Sequence, residues 1–206
     1  MKKGSVFLEM AAALLVLTGT VHAAGKPYIG IAGGLILPSD SNLANSAGEP
    51  ERVSYKAGYT ISGVVGIRTG SGLRPEAELT YKAVDMDQFK YYSLSAPIKA
   101  DEEVFAAMAN IFYDIKVSSH VFPYLGGGIG VATYHIDHAP IVVVDNGFSQ
   151  TRIVPKDNDT VLAYQAGAGV NVEISRHVMV DLGYRYFGFD SDFESHNLQV
   201  GINYQF

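Results

Sequence analysis

The strongest constraint on this chain is a plan that repeats from Pro27 onward: stretches of about ten residues in which apolar and polar or small residues alternate, parted by breaks rich in Gly, Ser, Asp, Asn and Pro. Alternation of period two is the pattern of a strand with one apolar face. Eight such stretches are present: Tyr28–Leu37, Ala57–Thr69, Leu73–Val84, Glu103–Lys116, Val121–Ile136, Thr160–Ile174, Val178–Gly188 and Ser195–Phe206. Each approaches or exceeds the ~9–11 residues that a tilted strand needs to cross hydrocarbon. Soluble strands average only ~5–6 residues.

The breaks alternate between long and short. Pro38–Lys56, Asp85–Glu102, Asp137–Asp159 and Phe189–Glu194 form one set, and Gly70–Gly72, Val117–His120 and Ser175–His177 the other. Tight turns at one end, longer loops at the other and an even strand number are the arrangement of a bacterial transmembrane barrel. A soluble up-and-down barrel has no need of that asymmetry. The fold predicted is therefore all-β: an eight-stranded antiparallel up-and-down transmembrane β-barrel.

Alternation does not say which face points inward, so the opposite face decides. In the last stretch Leu198, Val200, Ile202, Tyr204 and Phe206 oppose Asn197, Gln199, Gly201, Asn203 and Gln205; Val178, Val180, Leu182, Tyr184 and Tyr186 oppose Asp181, Gly183 and Arg185. Leu125, Ile129 and Val131 oppose Gly126, Gly128 and Gly130. Glycines weaken a solvated strand, but they make room inside a barrel of eight strands, whose bore is just wide enough for side chains to fill it. The charged residues of that face include both signs, Arg68, Arg74 and Arg185 with Glu76, Glu78, Glu173 and Asp181. They are expected to form an interior ion network, because a lone desolvated ion costs several kcal/mol. With no Trp in the chain, Tyr and Phe must supply any interfacial girdle. Tyr59, Tyr81, Phe105, Tyr164, Tyr184 and Tyr186 are expected near the loop end, and Tyr113, Tyr204 and Phe206 near the turn end.

Ahead of the repeating plan, Lys2 and Lys3 precede an apolar run from Met10 to Leu17 and a small-residue site, Val21-His22-Ala23. This reads as a signal peptide, residues 1–23, followed by a single barrel domain, residues 24–206. The apolar run is too short for the ~20 residues of a spanning helix. Acidic residues outnumber basic ones, 21 to 15, with no cationic cluster past the first positions, which argues against nucleic acid as a partner. The absence of cysteine excludes disulfides and thiolate chemistry.

The stretches Arg74-Pro-Glu-Ala-Glu-Leu-Thr-Tyr81, Asn110-Ile-Phe-Tyr-Asp114, Pro123-Tyr-Leu-Gly-Gly-Gly-Ile-Gly130, Ala163-Tyr-Gln-Ala-Gly-Ala-Gly169, Asp181-Leu-Gly-Tyr-Arg-Tyr-Phe187 and Gly201-Ile-Asn-Tyr-Gln-Phe206 carry a resemblance. In their order and spacing they resemble the small surface-antigen and opacity-protein-like, porin-like barrels of Gram-negative bacteria, related in architecture to the transmembrane domain of outer-membrane protein A. The resemblance covers the chain from residue 24 onward. It implies export through the periplasm to the cell outer membrane, and it brings no catalytic site and no cofactor. It also implies that Leu198, Val200, Ile202, Tyr204 and Phe206 form a C-terminal signal for the barrel-assembly machinery, which is then a partner alongside outer-membrane lipid.

Three local features compete with a purely structural reading. His135, Asp137 and His138 are near one another, but a solvated loop edge is the expected role and no metal is assigned. Ser195 and His196 could suggest a lipid A hydrolase, yet adjacent strand residues point to opposite faces. Ile141-Val142-Val143-Val144, then Asp145-Asn146-Gly147-Phe148, reads as a β-hairpin turning at Asn-Gly. Such a hairpin either stiffens a loop and extends the flanking strands, or offers an edge to a host or cell-surface ligand. The function expected is that of a non-enzymatic surface protein that supports the envelope and meets ligands through its loops, with a narrow porin-like channel as the alternative.

Overall fold

The computed structural model describes residues 25–39, 41–44, 50–91, 94–136, 140–145, 148–153, 157–189 and 193–206. Among them the chain forms strands β1 (Gly25–Pro38), β2 (Ser41–Ala44), β3 (Pro50–Tyr55), β4 (Gly58–Thr69), β5 (Leu73–Tyr91), β6 (Leu94–Asp114), β7 (Val121–Ile136), β8 (Pro140–Asp145), β9 (Phe148–Ile153), β10 (Asp157–Glu173), β11 (Val178–Phe189) and β12 (Phe193–Gln205). Eight of them pair antiparallel in a closed circuit, β1-β4-β5-β6-β7-β10-β11-β12 and back to β1. The seam between β1 and β12 runs from Tyr28 opposite Gln205 to Pro38 opposite Ser195. Closure leaves the barrel wall without an unpaired edge, which hydrocarbon demands because it offers no substitute hydrogen bonds.

The eight expected stretches are these eight strands, and two of the breaks need correction. Asp85–Glu102 was expected as a long loop, but β5 and β6 stay paired from Asp85 opposite Asp101 to Tyr91 opposite Leu94. A register shift between Met86 and Gln88 resets the ladder. Main-chain pairing does not require the apolar alternation that the sequence reading followed, so the hairpin continues past the point where alternation stops. Phe189–Glu194 was grouped with the long loops, whereas Phe189 pairs with Phe193 and only residues 190–192 lie beyond the ladder. The first long break contributes β2 and β3, with β3 pairing to the outer part of β5.

At the turn end the connections are tied to the ladder. Gly72 has φ of +91°, a conformation that glycine adopts without strain. It closes a tight turn by donating to the Thr69 carbonyl (3.2 Å), while its own carbonyl accepts from Asp114 N (2.8 Å). Further main-chain bonds join Glu173 N to His120 O (2.8 Å), Gln205 N to His177 O (2.7 Å) and Phe206 N to Pro27 O (3.0 Å).

Burial along β12 alternates without interruption. Ser195, Asn197, Gln199, Gly201, Asn203 and Gln205 are buried, and His196, Leu198, Val200, Ile202 and Tyr204 are exposed. The same inversion runs around the barrel, where Ile29, Ile31, Leu35, Ile61, Leu79, Ile111, Leu125, Ile129, Leu162 and Leu182 stand on the outside. So continuous an apolar surface belongs in lipid. Its borders are aromatic: Tyr59, Phe105, Tyr164 and Tyr184 are exposed near the loop end, and Tyr113, Tyr204 and Phe206 near the turn end.

Candidate functional site: the filled bore and the loop-end face

The polar faces of the eight strands meet across the bore. In the half nearest the turns, Arg74 pairs with Glu76 through Nη1 and with Asp114 through Nε (3.1 Å), and Arg68 reaches the other Asp114 oxygen at 2.9 Å. Tyr28, on β1, donates to Glu76 and accepts from Arg74 Nη1 at 3.2 Å. On the facing wall Arg185 donates to Tyr124 Oη (2.9 Å), which donates in turn to Asp181 (3.1 Å). The two like-charged guanidinium groups share an aromatic partition. Arg74 lies 4.9 Å from the Phe112 ring centre and 4.7 Å from that of Tyr124, and Arg185 lies 4.5 and 5.2 Å from the same rings. The negative faces of the rings favour a cation on each side.

Glycines make this arrangement possible. A Cβ placed on Gly169 or on Gly183 would lie 2.5 Å from the Tyr124 hydroxyl, and one on Gly128 would collide with the Asn110 side chain. The wall is thin where the opposing side chain is large.

One layer further out, Glu78 accepts from Asn110 Nδ2 and from Gln165 Nε2, both at 2.8 Å, and Gln165 also donates to Asn110 Oδ1 at 2.7 Å. Lys82 on β5 crosses the bore to Asn197 on β12 (3.0 Å) and places its ammonium 4.5 Å from the ring centre of Phe187, on the opposite strand β11. Beyond Lys82 the interior changes character. Val104, Ala106, Met108, Ala132, Ala163, Phe187, Phe189 and Phe193 form one buried apolar cluster. Phe189 stacks on Phe193 at 4.9 Å and on Tyr134 at 5.5 Å. Between the charged groups remains a cavity of about 20 Å³ bordered by Arg74, Glu76, Glu78, Asp181, Arg185, Gln199 and Asn203, space for about one water molecule.

Of the seven ions expected in the interior, Arg74, Glu76, Glu78, Asp181 and Arg185 are buried in this network, and Arg68 joins it from the turn-end lip. Glu173 is half-buried near that lip, and among the described residues it makes no ion pair with the others. Sequence reasoning missed Asp114, Tyr28, Tyr124, Asn110, Gln165 and Lys82. Asp114 was within reach, because it follows Asn110 and Phe112 on one face of β6.

Ser195 is wholly buried in the bore and His196 is exposed on the outer wall. The His196 Nδ1 is engaged by the Tyr184 hydroxyl at 2.6 Å, with the two rings stacked. The two side chains therefore do not form a nucleophile–base pair. Of His135, Asp137 and His138, only His135 falls within the described residues. The hairpin read at Ile141–Phe148 is present as β8 paired with β9, Asp145 opposite Phe148; Asn146 and Gly147 lie outside the described residues. Its pairs, from Pro140 opposite Ile153, keep the register of the β7–β10 ladder, in which Ile136 stands opposite Asp157; residues 137–139 and 154–156, between the two ladders, lie outside the described residues.

Several known proteins are similar to this chain in sequence or in fold. The Salmonella typhimurium outer membrane protein PagN is 30% identical over 79 residues, 38% of this chain and 31% of its own length. The chain's matches span about a third of the length of the curated relatives found. Neisserial surface protein A superposes with a TM-score of 0.57 at 20% identity, covering 87% of this chain and 97% of that one. Ail, the attachment invasion locus protein of Yersinia pestis, superposes with a TM-score of 0.51 at 15% identity over 89% of this chain and 99% of its own. The family model described as outer membrane protein beta-barrel domain matches residues 10–206. This chain, a closed eight-stranded wall with apolar residues outward and a filled bore, is an outer-membrane protein and belongs to that family.

Proposed function

We propose that the protein is a non-enzymatic surface protein of the outer membrane, in which the barrel is a filled anchor and the loop-end segments meet ligands outside the cell. The observation that carries this reading is the set of side chains bridging the bore: Glu78 to Gln165, Lys82 to Asn197 and Lys82 over Phe187. With its interior committed to holding the walls together, the barrel has its free surfaces in the lipid-facing wall, the turns and the loop end. Recognition on rigid scaffolds is concentrated in loops, and here the loop end bears three projections: β2 with β3, the outer β5–β6 hairpin and the β8–β9 hairpin. The likeness to a Yersinia protein of attachment and invasion supports the same reading. Outer-membrane lipid and the barrel-assembly machinery, acting on Leu198, Val200, Ile202, Tyr204 and Phe206, are the remaining partners.

Purified protein in planar bilayers should give no steady conductance. Steady openings that disappear when Gly128 or Gly169 is enlarged would replace the anchor by a narrow pore. Loss of cell attachment when the β8–β9 hairpin is exchanged for a short Gly-Ser turn would locate ligand contact there, and ester or lipid hydrolysis abolished by His196→Ala would refute the non-enzymatic reading.

A further inference from the structure

The two ends of the barrel differ in charge. The breaks at the loop end, residues 38–56, 85–102, 137–159 and 189–194, contain fourteen Asp and Glu against six Lys and Arg. The turn end reverses this. Residues 70–72, 115–120 and 174–177 contain no Asp or Glu, and Lys116 and Arg176 are exposed there. Exposed Lys26 stands at the start of β1 on the same rim. No described residue forms an ion pair with any of these three cations. The nearby acids are committed or recessed: Asp114 is buried against Arg68 and Arg74, and Glu173 is half-buried.

The cations are interleaved with exposed apolar side chains. Ile115 and Val117 flank Lys116, and Ile174 lies two residues before Arg176. The bond from Glu173 N to His120 O ties the end of β10 to the turn before β7 and so holds these two segments side by side. An apolar stem beside a cationic tip suits the level where hydrocarbon gives way to headgroups. In this family's orientation the turn end faces the periplasm, so the rim lies at the phospholipid leaflet on that side.

We propose that this rim is a docking surface for anionic phospholipid headgroups, held by Lys26, Lys116 and Arg176. The proposal rests on the reading of the barrel as membrane-spanning. By strand order the three are spread around the rim, on β1, on the β6–β7 turn and on the β10–β11 turn; cations at a membrane surface attract anionic lipid, and the attraction weakens with salt.

The test places the full chain in phosphatidylcholine vesicles containing a trace of spin-labelled phosphatidylglycerol or spin-labelled phosphatidylcholine, and compares the immobilised fractions at the barrel wall. The wild type should prefer phosphatidylglycerol by about threefold or more, the scale that a few surface cations supply. High salt should lower the preference. The triple variant Lys26→Gln, Lys116→Gln, Arg176→Gln should bring it close to one, and the charge-conserving Lys26→Arg, Lys116→Arg, Arg176→Lys should keep it. If the Gln triple does not fold, the singles Lys116→Gln and Arg176→Gln should each lower the preference. A folded, inserted wild type without preference overturns the proposal. So does a preference that survives in the Gln variants, or capture of soluble cell-wall glycan at the rim with no lipid selectivity. Failure to insert into either vesicle would instead strike the membrane-spanning reading itself.

Discussion

The two halves of the bore are filled by different chemistry on the same eight strands. Toward the turns, six ions and two tyrosines, Arg68, Arg74, Arg185, Glu76, Asp114 and Asp181 with Tyr28 and Tyr124, stand in a web in which each guanidinium has a carboxylate or an aromatic face. Toward the loops, Phe187, Phe189, Phe193, Met108 and Val104 pack as an ordinary hydrophobic core. The difference teaches how such a barrel reconciles a polar interior with a sealed one. A buried ion pair is weak evidence of stability because desolvation opposes the Coulomb gain, whereas apolar packing gains directly from the removal of water. The web bridges strands that face one another across the bore, and the apolar layer fills the end nearest the loops.

Four substitutions sharpen or break that contrast. The largest loss of stability, about 3–5 kcal/mol, is expected for Arg74→Met, which strands Glu76 and one side of Asp114 as buried unpaired carboxylates; urea unfolding from vesicles would measure it. Partial recovery in Arg74→Met with Glu76→Gln would show that the loss comes from the stranded charge. Phe187→Ala removes a wholly buried ring and should cost about 3 kcal/mol or somewhat more by the same assay. A smaller penalty, about 1–3 kcal/mol, is expected for Gly183→Ala, whose Cβ would lie 2.5 Å from the Tyr124 hydroxyl and force it out of its place; the quenching or shift of Tyr124 signals by NMR would report the displacement. The smallest effect, about 1 kcal/mol, is expected for Lys82→Met at the border of the two halves. It removes one bond to Asn197 and leaves no carboxylate unpaired. A Lys82→Met loss as large as that of Arg74→Met would mean that the ion web extends into the outer half.

The sequence reading succeeded where the two faces of a strand differ in kind, as in β12, whose Asn, Gln and Gly alternate with Leu, Val, Ile and Tyr. There the burial follows the letters one by one. It went dark where both faces are apolar: Val104 beside Phe105, and Tyr186 beside Phe187, show no contrast from which an interior layer could be read. It also named ions without naming partners. That Arg185 meets Tyr124, or that Glu78 meets Gln165, depends on strands whose residues lie 61 and 87 positions apart, and alternation contains no information about what stands across the bore. The outer β5–β6 hairpin was missed for a third reason, since its ladder is held by the main chain and survives Asp85, Lys90 and Pro97.

The account stands on apolar side chains facing lipid and polar ones facing the bore. Because the chain has no native tryptophan, single tryptophans can be placed one at a time at Leu198, Val200 and Ile202 and read without background. In vesicles whose acyl chains carry bromine, all three should be strongly quenched by the lipid and left untouched by aqueous iodide. Tryptophans at these positions that respond to iodide and ignore the brominated chains would show the wall to be turned the other way, and would contradict the account at its base.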